Sequence, residues 1–162
     1  DPDFLNIHAL QGKWVVNLKK QQSYKDKMDF TAKKHVAICW RGNSEHSRDH
    51  WRSIPFSYFL DVINKHPDWM FYSFVFDLSE EEKELFSKID NLVDASNFIS
   101  NFSDSAAFLS QLDVCISCDT SLVHLAGNLQ VPTSLLLPYR EDWRWKAPFS
   151  QGRLYPSVKL IV

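Results

Sequence analysis

Val114-Cys-Ile-Ser-Cys118 runs into Asp119-Thr120-Ser121, and then Leu122, Leu125, Ala126 and Leu129 follow at helical spacing. The five-residue run is too short for a helix and reads as a strand buried on both faces. The four apolar residues after it share one face of a helix. Pro132 stops that helix, and Thr133 to Leu137 reads as a further strand ended by Pro138. A buried strand feeding a helix that feeds another strand is the signature of a crossover, and hence of a parallel sheet.

The same alternation extends upstream. His35-Val-Ala-Ile-Cys-Trp40 is a second continuous apolar run, closed by Gly42. Pro55 opens a helix whose Phe56, Phe59, Leu60 and Ile63 recur at i, i+3, i+4 and i+7. Met70 to Phe76 reads as a strand ending at Asp77, and Ser79-Glu-Glu-Glu82 spells a capping box ahead of Leu85, Phe86 and Ile89. Leu92-Val93 is a short strand, and Phe108, Leu109 and Leu112 mark a helix from Ser103 onward. Nearer the start, Trp14 and Leu18 lie one turn apart in a lysine-rich helix over Lys13 to Lys20, and a polar connector runs from Gln21 to Lys34. The expectation is an α/β fold, an open, doubly wound, Rossmann-like and mostly parallel sheet over 35–162, with residues 1–34 as a helix and connector packing on it.

Composition narrows the functions. At 162 residues the chain has the length of about one domain. Eighteen basic residues against 20 acidic ones leave a net charge of -2, which gives no field for indiscriminate nucleic-acid binding. No apolar run is long enough to span a membrane, and Asp1-Pro2-Asp3 opens no charged-then-apolar leader, so a soluble, cytosolic chain is expected. The missing initiator Met suggests a piece of something longer. Only 4 glycines are present, at 12, 42, 127 and 152, and neither G-x-G-x-x-G nor a Walker loop can be written with them. Cys115-Ile-Ser-Cys118 lies in a strand-like run rather than at a helix N-terminus, so inert buried thiols are expected. His46-Ser-Arg-Asp49-His50 approaches the H-x-x-E-H spelling of zinc hydrolases but lacks the regular helix that would bring both histidines to one side. No metal site is expected.

In doubly wound sheets, ligands bind beyond the carboxyl ends of the strands. Four such ends are legible: Arg41-Gly42-Asn43, Asp77, Asp119-Thr120-Ser121 and Pro138-Tyr139. With Asp119 as N-cap, the amides of Thr120, Ser121 and Leu122 point along the helix axis and form an anion cradle made without glycine; alternatively, Asp119 simply caps the helix. His124, one turn on, either donates to a phosphate oxygen or hydrogen-bonds a nearby carbonyl. Arg52, ahead of Pro55, is either a phosphate clamp or solvated surface. Asp77 stands where a carboxylate meets ribose hydroxyls in such folds, as do Glu80 to Glu82, whose charge also suits the first turn of a helix. Trp143, Trp145 and Tyr155 either form an interaction surface or pack the C-terminal tail on the sheet.

Ala37-Ile-Cys-Trp-Arg-Gly-Asn43 with His46, Asp49 and Arg52-Ser-Ile-Pro55, then Gln111 through Gly127, then Leu135-Leu-Leu-Pro-Tyr139 with Asp142-Trp-Arg-Trp145, together resemble a known family. They look like the C-terminal domain of bacterial glycosyltransferases that carry helical tetratricopeptide repeats. That domain is similar in turn to the ADP-heptose:lipopolysaccharide heptosyltransferases and, more distantly, to O-GlcNAc transferase. The resemblance implies one half of a GT-B enzyme, binding a UDP-, ADP- or GDP-sugar without a metal. By it, Asp119, Thr120, Ser121 and Leu122 wrap the diphosphate, Arg52 neutralises it, and Gly42 and Asn43 form the loop after the first strand. Asn101 to Ser105, including Ser103, pass near the base. The glycan or protein acceptor and the catalytic base belong to an N-terminal half absent from these residues, so the isolated domain is expected to be inactive. The reading from another class is a non-catalytic module that binds a nucleotide or a protein.

Overall fold

Strands that are apolar on both faces must be covered on both, and parallel pairing with helical crossovers achieves this. The computed structural model describes residues 16–28, 31–43, 45, 49–139, 142–145 and 154–162. Six strands form one sheet: β1 (Lys34–Cys39), β2 (Trp69–Ser73), β3 (Leu92–Asp94), β4 (Val114–Cys118), β5 (Thr133–Leu136) and β6 (Val158–Ile161). Every pairing is parallel, in the order β3-β2-β1-β4-β5-β6. Between them run α1 (Leu18–Ser23), α2 (Asp49–Arg52), α3 (Phe56–Lys65), α4 (Glu80–Phe86), α5 (Phe102–Leu109) and α6 (Ser121–Asn128). This is the expected Rossmann-like, doubly wound α/β fold. The strand order reverses between β1 and β4, so right-handed crossovers on either side of that point fall on opposite faces of the sheet.

Central β1 is the most deeply covered strand. Val36, Ala37, Ile38 and Cys39 are all buried, with Ile38 beside Ser73 on one flank and Ile116 on the other. Trp40 follows into an aromatic cluster with Phe56 (ring centroids 4.5 Å apart) and Phe86 (5.9 Å). A second cluster centres on Phe108, whose ring meets Tyr72 and Phe98 at 5.0 Å each and Tyr24 at 5.6 Å. The capping box is present, with Ser79 Oγ accepting from the Glu82 amide and Glu82 Oε2 accepting from the Ser79 amide.

Several boundaries differ from those read in the sequence. β2 ends at Ser73, not Phe76, because its neighbours run out: Ser73 pairs with Ile38 and with Asp94, the last residue of β3. Phe74 to Phe76 therefore leave the sheet at its carboxyl edge. The helix expected over Lys13 to Lys20 is described only from Leu18, capped by Asn17, and Trp14 lies outside the described residues. Leu18 is 73% exposed rather than buried, because α1 attaches through polar groups. Lys20 Nζ donates to Asp104 Oδ1 at 2.5 Å and Gln21 Nε2 to Ser110 Oγ at 2.9 Å, while Tyr24 just beyond supplies the buried ring. Ile89 and Leu112 fall beyond the ends of α4 and α5.

Two elements were not anticipated. α2 has four residues and no apolar period to betray it. β6 adds to the open edge of β5, with Val158 opposite Thr133 and Leu160 opposite Leu135, and its alternating Val158, Leu160, Val162 was a legible signal. The C-terminal segment then packs on α6. Val123, Leu135, Trp145 and Val158 form a second buried cluster, joined by Leu154 and Tyr155. Trp145 is thus core rather than surface, and Gly127 is what admits Tyr155. A methyl at 127 would lie 2.3 Å from the Tyr155 ring.

Gly127→Ala should therefore lower the melting temperature: overpacking costs about 1–3 kcal/mol, more than the ~1 kcal/mol gained in helix propensity. An unchanged or raised midpoint in a thermal melt would show that Tyr155 is not held there. The Asp104 carboxyl is kept below its ordinary value by the hydrogen bond from Lys20, against the opposing effect of burial and with help from the Ser100 amide. A lowered folded pKa gives stability that is present above the unfolded value and lost as pH falls through the folded one. Asp104→Asn should cost ~1–2 kcal/mol at neutral pH, and its urea midpoint should converge on wild type as the pH falls through the lowered folded pKa of Asp104.

Candidate functional site

The reversal point between β1 and β4 opens a crevice at the carboxyl edge of the sheet. A cavity of about 430 Å³ lies there. One wall is the loop after β1, Arg41-Gly42-Asn43, and another is the chain after β2, from Phe74 to Asp77. Ile99 to Phe102 and Ser105 close one side, and Thr120, Ser121, Leu122 and Leu125 the opposite one. Most of the surface between these polar ends is apolar, supplied by Phe74, Val75, Ile99, Phe102, Leu122 and Leu125.

The N-terminus of α6 is open. Thr120, not Asp119, is the N-cap, and its side chain makes no capping bond. Its hydroxyl turns inward instead, 3.2 Å from Ser117 Oγ and 3.8 Å from Cys39 Sγ. Asp119 points its carboxylate toward Arg144, at 3.9 Å. The expected competition between a capping carboxylate and an anion therefore does not arise. The amides of Ser121 and Leu122 sit in the first turn, where no residue of the helix can accept from them, and no backbone acceptor among the described residues takes them either. They carry the positive end of the helix dipole into the cavity.

Arg52 is placed differently from the clamp read in the sequence. It does not line the cavity. Its Nε donates to Asp49 Oδ1 at 3.0 Å and its Nη1 to the Asp119 carbonyl at 2.9 Å. Asp49 is 7% exposed and also accepts from the Gly42 amide (3.1 Å) and Ser53 Oγ (2.7 Å). Burial alone would raise the Asp49 carboxyl, but the bonds from Ser53 and Arg52 and the guanidinium charge outweigh it and hold the group low. Asp49 and Arg52 together bracket the ends of β1 and β4. A Cβ on Gly42 would fall 2.2 Å from Arg52 Nη2, so this bracket packs against the glycine itself.

The remaining candidates divide in the same way. Gly42, Asn43, Asp77, Asn101, Thr120, Ser121 and Leu122 line the cavity. Asn101 also caps α5, its Oδ1 accepting from the Asp104 amide at 3.0 Å. Ser103 is exposed outside it, and Ser105 takes its place in the wall. His124 lies on the other side of α6, stacked on Trp145 at 5.3 Å with its Nδ1 3.1 Å from Tyr155 Oη. Burial, then the nearby Arg144, pushes its pKa down. Cys39, Cys115 and Cys118 are free and buried, and burial pushes the Cys115 thiol up. His46 lies outside the described residues; among those described, no group of His, Cys, Asp or Glu could hold a metal ion.

Sequence reasoning passed over Arg41. The signal was its position directly after β1 in the quoted strand end. It lines the cavity, and its Nη2 donates to the Asp77 carbonyl at 2.7 Å and to Glu82 Oε2 at 2.8 Å. The aromatic side chains of the wall were missed as well, because Phe74 to Phe76 read as strand.

The sequence matches no protein-family model and no curated protein. Solved structures do share its fold. E. coli ADP-heptose lipopolysaccharide heptosyltransferase II superposes with a TM-score of 0.63 at 13% identity, over 93% of this chain and 44% of that one. A family 9 glycosyltransferase from Veillonella parvula DSM 2008 gives 0.62 at 14%, over 91% and 41%. E. coli heptosyltransferase WaaC with ADP gives 0.58 at 15%, over 86% and 41%. The chain thus spans less than half the length of each of these enzymes, and the likeness at these identities is one of fold.

Proposed function

We propose that the chain is the donor-binding half of a glycosyltransferase of GT-B type, taking a nucleoside-diphosphate sugar into the cavity between β1 and β4. The observation that carries this reading is the uncapped first turn of α6 opening into that cavity. Backbone amides there suit the diphosphate, the loop of Gly42 and Asn43 faces them across the crevice, and the apolar wall suits a base. The fold neighbours support it, since one of them is a heptosyltransferase described with ADP and another an ADP-heptose enzyme. Arg52 then acts from behind, fixing Asp119 and the β1 loop so that the amides stay aimed, and adding a permanent positive charge nearby. Asp77 accepts from sugar hydroxyls of the nucleoside, and Asn101 borders the base.

In the transfer step an acceptor hydroxyl attacks the anomeric carbon while the bond from that carbon to the diphosphate oxygen breaks. The bonding pair leaves with the diphosphate, so negative charge grows where the Ser121 and Leu122 amides point. Donors fixed in advance on developing charge stabilise the transition state, an effect of about 3 kcal/mol per donor in other enzymes. The hydroxyl proton passes to a base on the acceptor-binding half. This chain alone therefore binds donor without transferring the sugar, and the acceptor is a glycan or protein held by that other half.

UDP, ADP or GDP should raise the melting temperature. At a hundredfold excess over Kd the stabilisation is about 2.7 kcal/mol, which is several degrees for a domain of this size. Ser121→Asp places a carboxylate in the first turn, where it favours the helix but repels a diphosphate. That variant should fold normally and lose the shift. A retained shift would remove the α6 cradle from the reading, and no shift with any of the three nucleotides would favour a protein-interaction module instead.

A further inference from the structure

The two ends of the cavity are electrostatically unlike. At the α6 end the wall is formed by Thr120, Ser121, Leu122 and Leu125, with no charged side chain among these described residues. At the other end Arg41 is gathered with two carboxylates: its Nη2 bonds Glu82 Oε2 at 2.8 Å and the Asp77 carbonyl at 2.7 Å, and lies 3.5 Å from Asp77 Oδ1. Glu82 is itself fixed, accepting from the Ser79 amide (2.9 Å) and from Trp40 Nε1 (3.3 Å). The guanidinium is thus immobilised along one nitrogen. Its Nε is buried without a partner, and its Nη1 makes no hydrogen bond to a described residue although Arg41 forms part of the cavity wall.

Among the described residues one guanidinium stands against two carboxylates at this end, a balance that disfavours a phosphate. A group that accepts from Arg41 and donates to Asp77 in the same place meets both, and a hydroxyl is such a group. We infer that Arg41 is a specificity-determining residue, donating through Nη1 to a ribose hydroxyl that itself donates a hydrogen bond to the Asp77 carboxylate, so that the cavity selects ribonucleoside over 2′-deoxyribonucleoside diphosphates. The inference rests on the nucleotide reading above and adds the orientation of the ligand: diphosphate toward α6, ribose toward Arg41, base against Phe74, Val75, Ile99 and Phe102. The fixed hold of Glu82 on Arg41 matters here, because a site built to hydrogen-bond a hydroxyl rejects the analogue that lacks it when its own groups cannot relax.

The test is calorimetric titration of the protein with ADP, GDP and UDP, each against its 2′-deoxy counterpart, with the ratio of the two Kd values as readout. Because the ratio compares two ligands on one protein, a partly destabilised variant does not distort it. Wild type should prefer the ribonucleotide by roughly tenfold to a hundredfold, the effect of a hydrogen bond to a charged group. Arg41→Met should bring the ratio close to one, whatever it does to the two affinities together. Should Arg41→Met fail to fold, Arg41→Lys retains a cation against Glu82 but has no second nitrogen for the hydroxyl, and its ratio should also collapse. A wild-type ratio near one, or a ratio unchanged in the folded Arg41 variant, overturns the inference and leaves the proposed function standing. Failure of all six nucleotides to bind overturns both.

Discussion

The structure depends on β1 being paired in parallel on both sides, with β2 at one flank and β4 at the other. A strand in that position must be apolar throughout, which is why Val36 to Cys39 carry no polar side chain apart from the thiol. It also forces the chain to cross to opposite faces of the sheet before and after the reversal, and two diverging crossovers leave a gap at the strand ends. The gap is not left loose. Asp49 and Arg52, from the short turn of helix after β1, reach the Gly42 amide on one side and the Asp119 carbonyl on the other. The crevice is thus a topological consequence, and its width is set by one buried carboxylate and one guanidinium.

That division of labour explains how a glycine-poor chain can leave backbone amides open at a strand-to-helix turn. Glycine-rich phosphate loops let the backbone approach a ligand by removing side chains. Here the side chains are present and turned away. Thr120 directs its hydroxyl to Ser117, and Asp119 directs its carboxylate to Arg144. The Ser121 and Leu122 amides are thereby left uncapped beside the cavity. Among the described residues the glycine at the crevice is Gly42, and it serves the bracket, since Arg52 occupies the space its side chain would need.

The fold was legible because hydrophobic period and breaker residues report local structure directly. β4, α6 and the capping box of α4 sit where the apolar runs, the i, i+3, i+4 spacing and Ser79-Glu82 place them. The cavity-lining backbone around Thr120 to Leu122 followed from the same signals, since a strand-to-helix turn implies unpaired amides. What sequence spacing does not carry is the direction of a long polar side chain. Arg52 reads as a clamp from its place before Pro55, yet Asp49, three residues earlier, takes its Nε. Asp119 reads as a cap because Asp caps well, but the helix begins one residue later. His124 reads as facing the crevice because it lies off the Leu125 face; the partner that covers that side, Tyr155, is 31 residues away in a segment with no periodic signal. The edge strand β6 was missed for a related reason: four residues of weak alternation became a strand only because β5 had an open edge to pair with.

The composition of the cavity also bears on the proposed function, in which this chain holds the donor and another half supplies the base. Among the described residues that line it, Asp77 is the only carboxylate and there is no histidine. Asp77 faces the guanidinium of Arg41, 3.5 Å from its Nη2. The Cys39 thiol is held at the floor, donating to the Arg41 carbonyl at 3.2 Å. His124, the nearest imidazole along α6, is on the far face and engaged with Tyr155. A group that takes a proton from an attacking hydroxyl must stand on the side from which the hydroxyl arrives, opposite the leaving diphosphate. In the proposed function the diphosphate lies at the α6 amides against the sheet edge, and the acceptor hydroxyl and its base both approach from the open mouth.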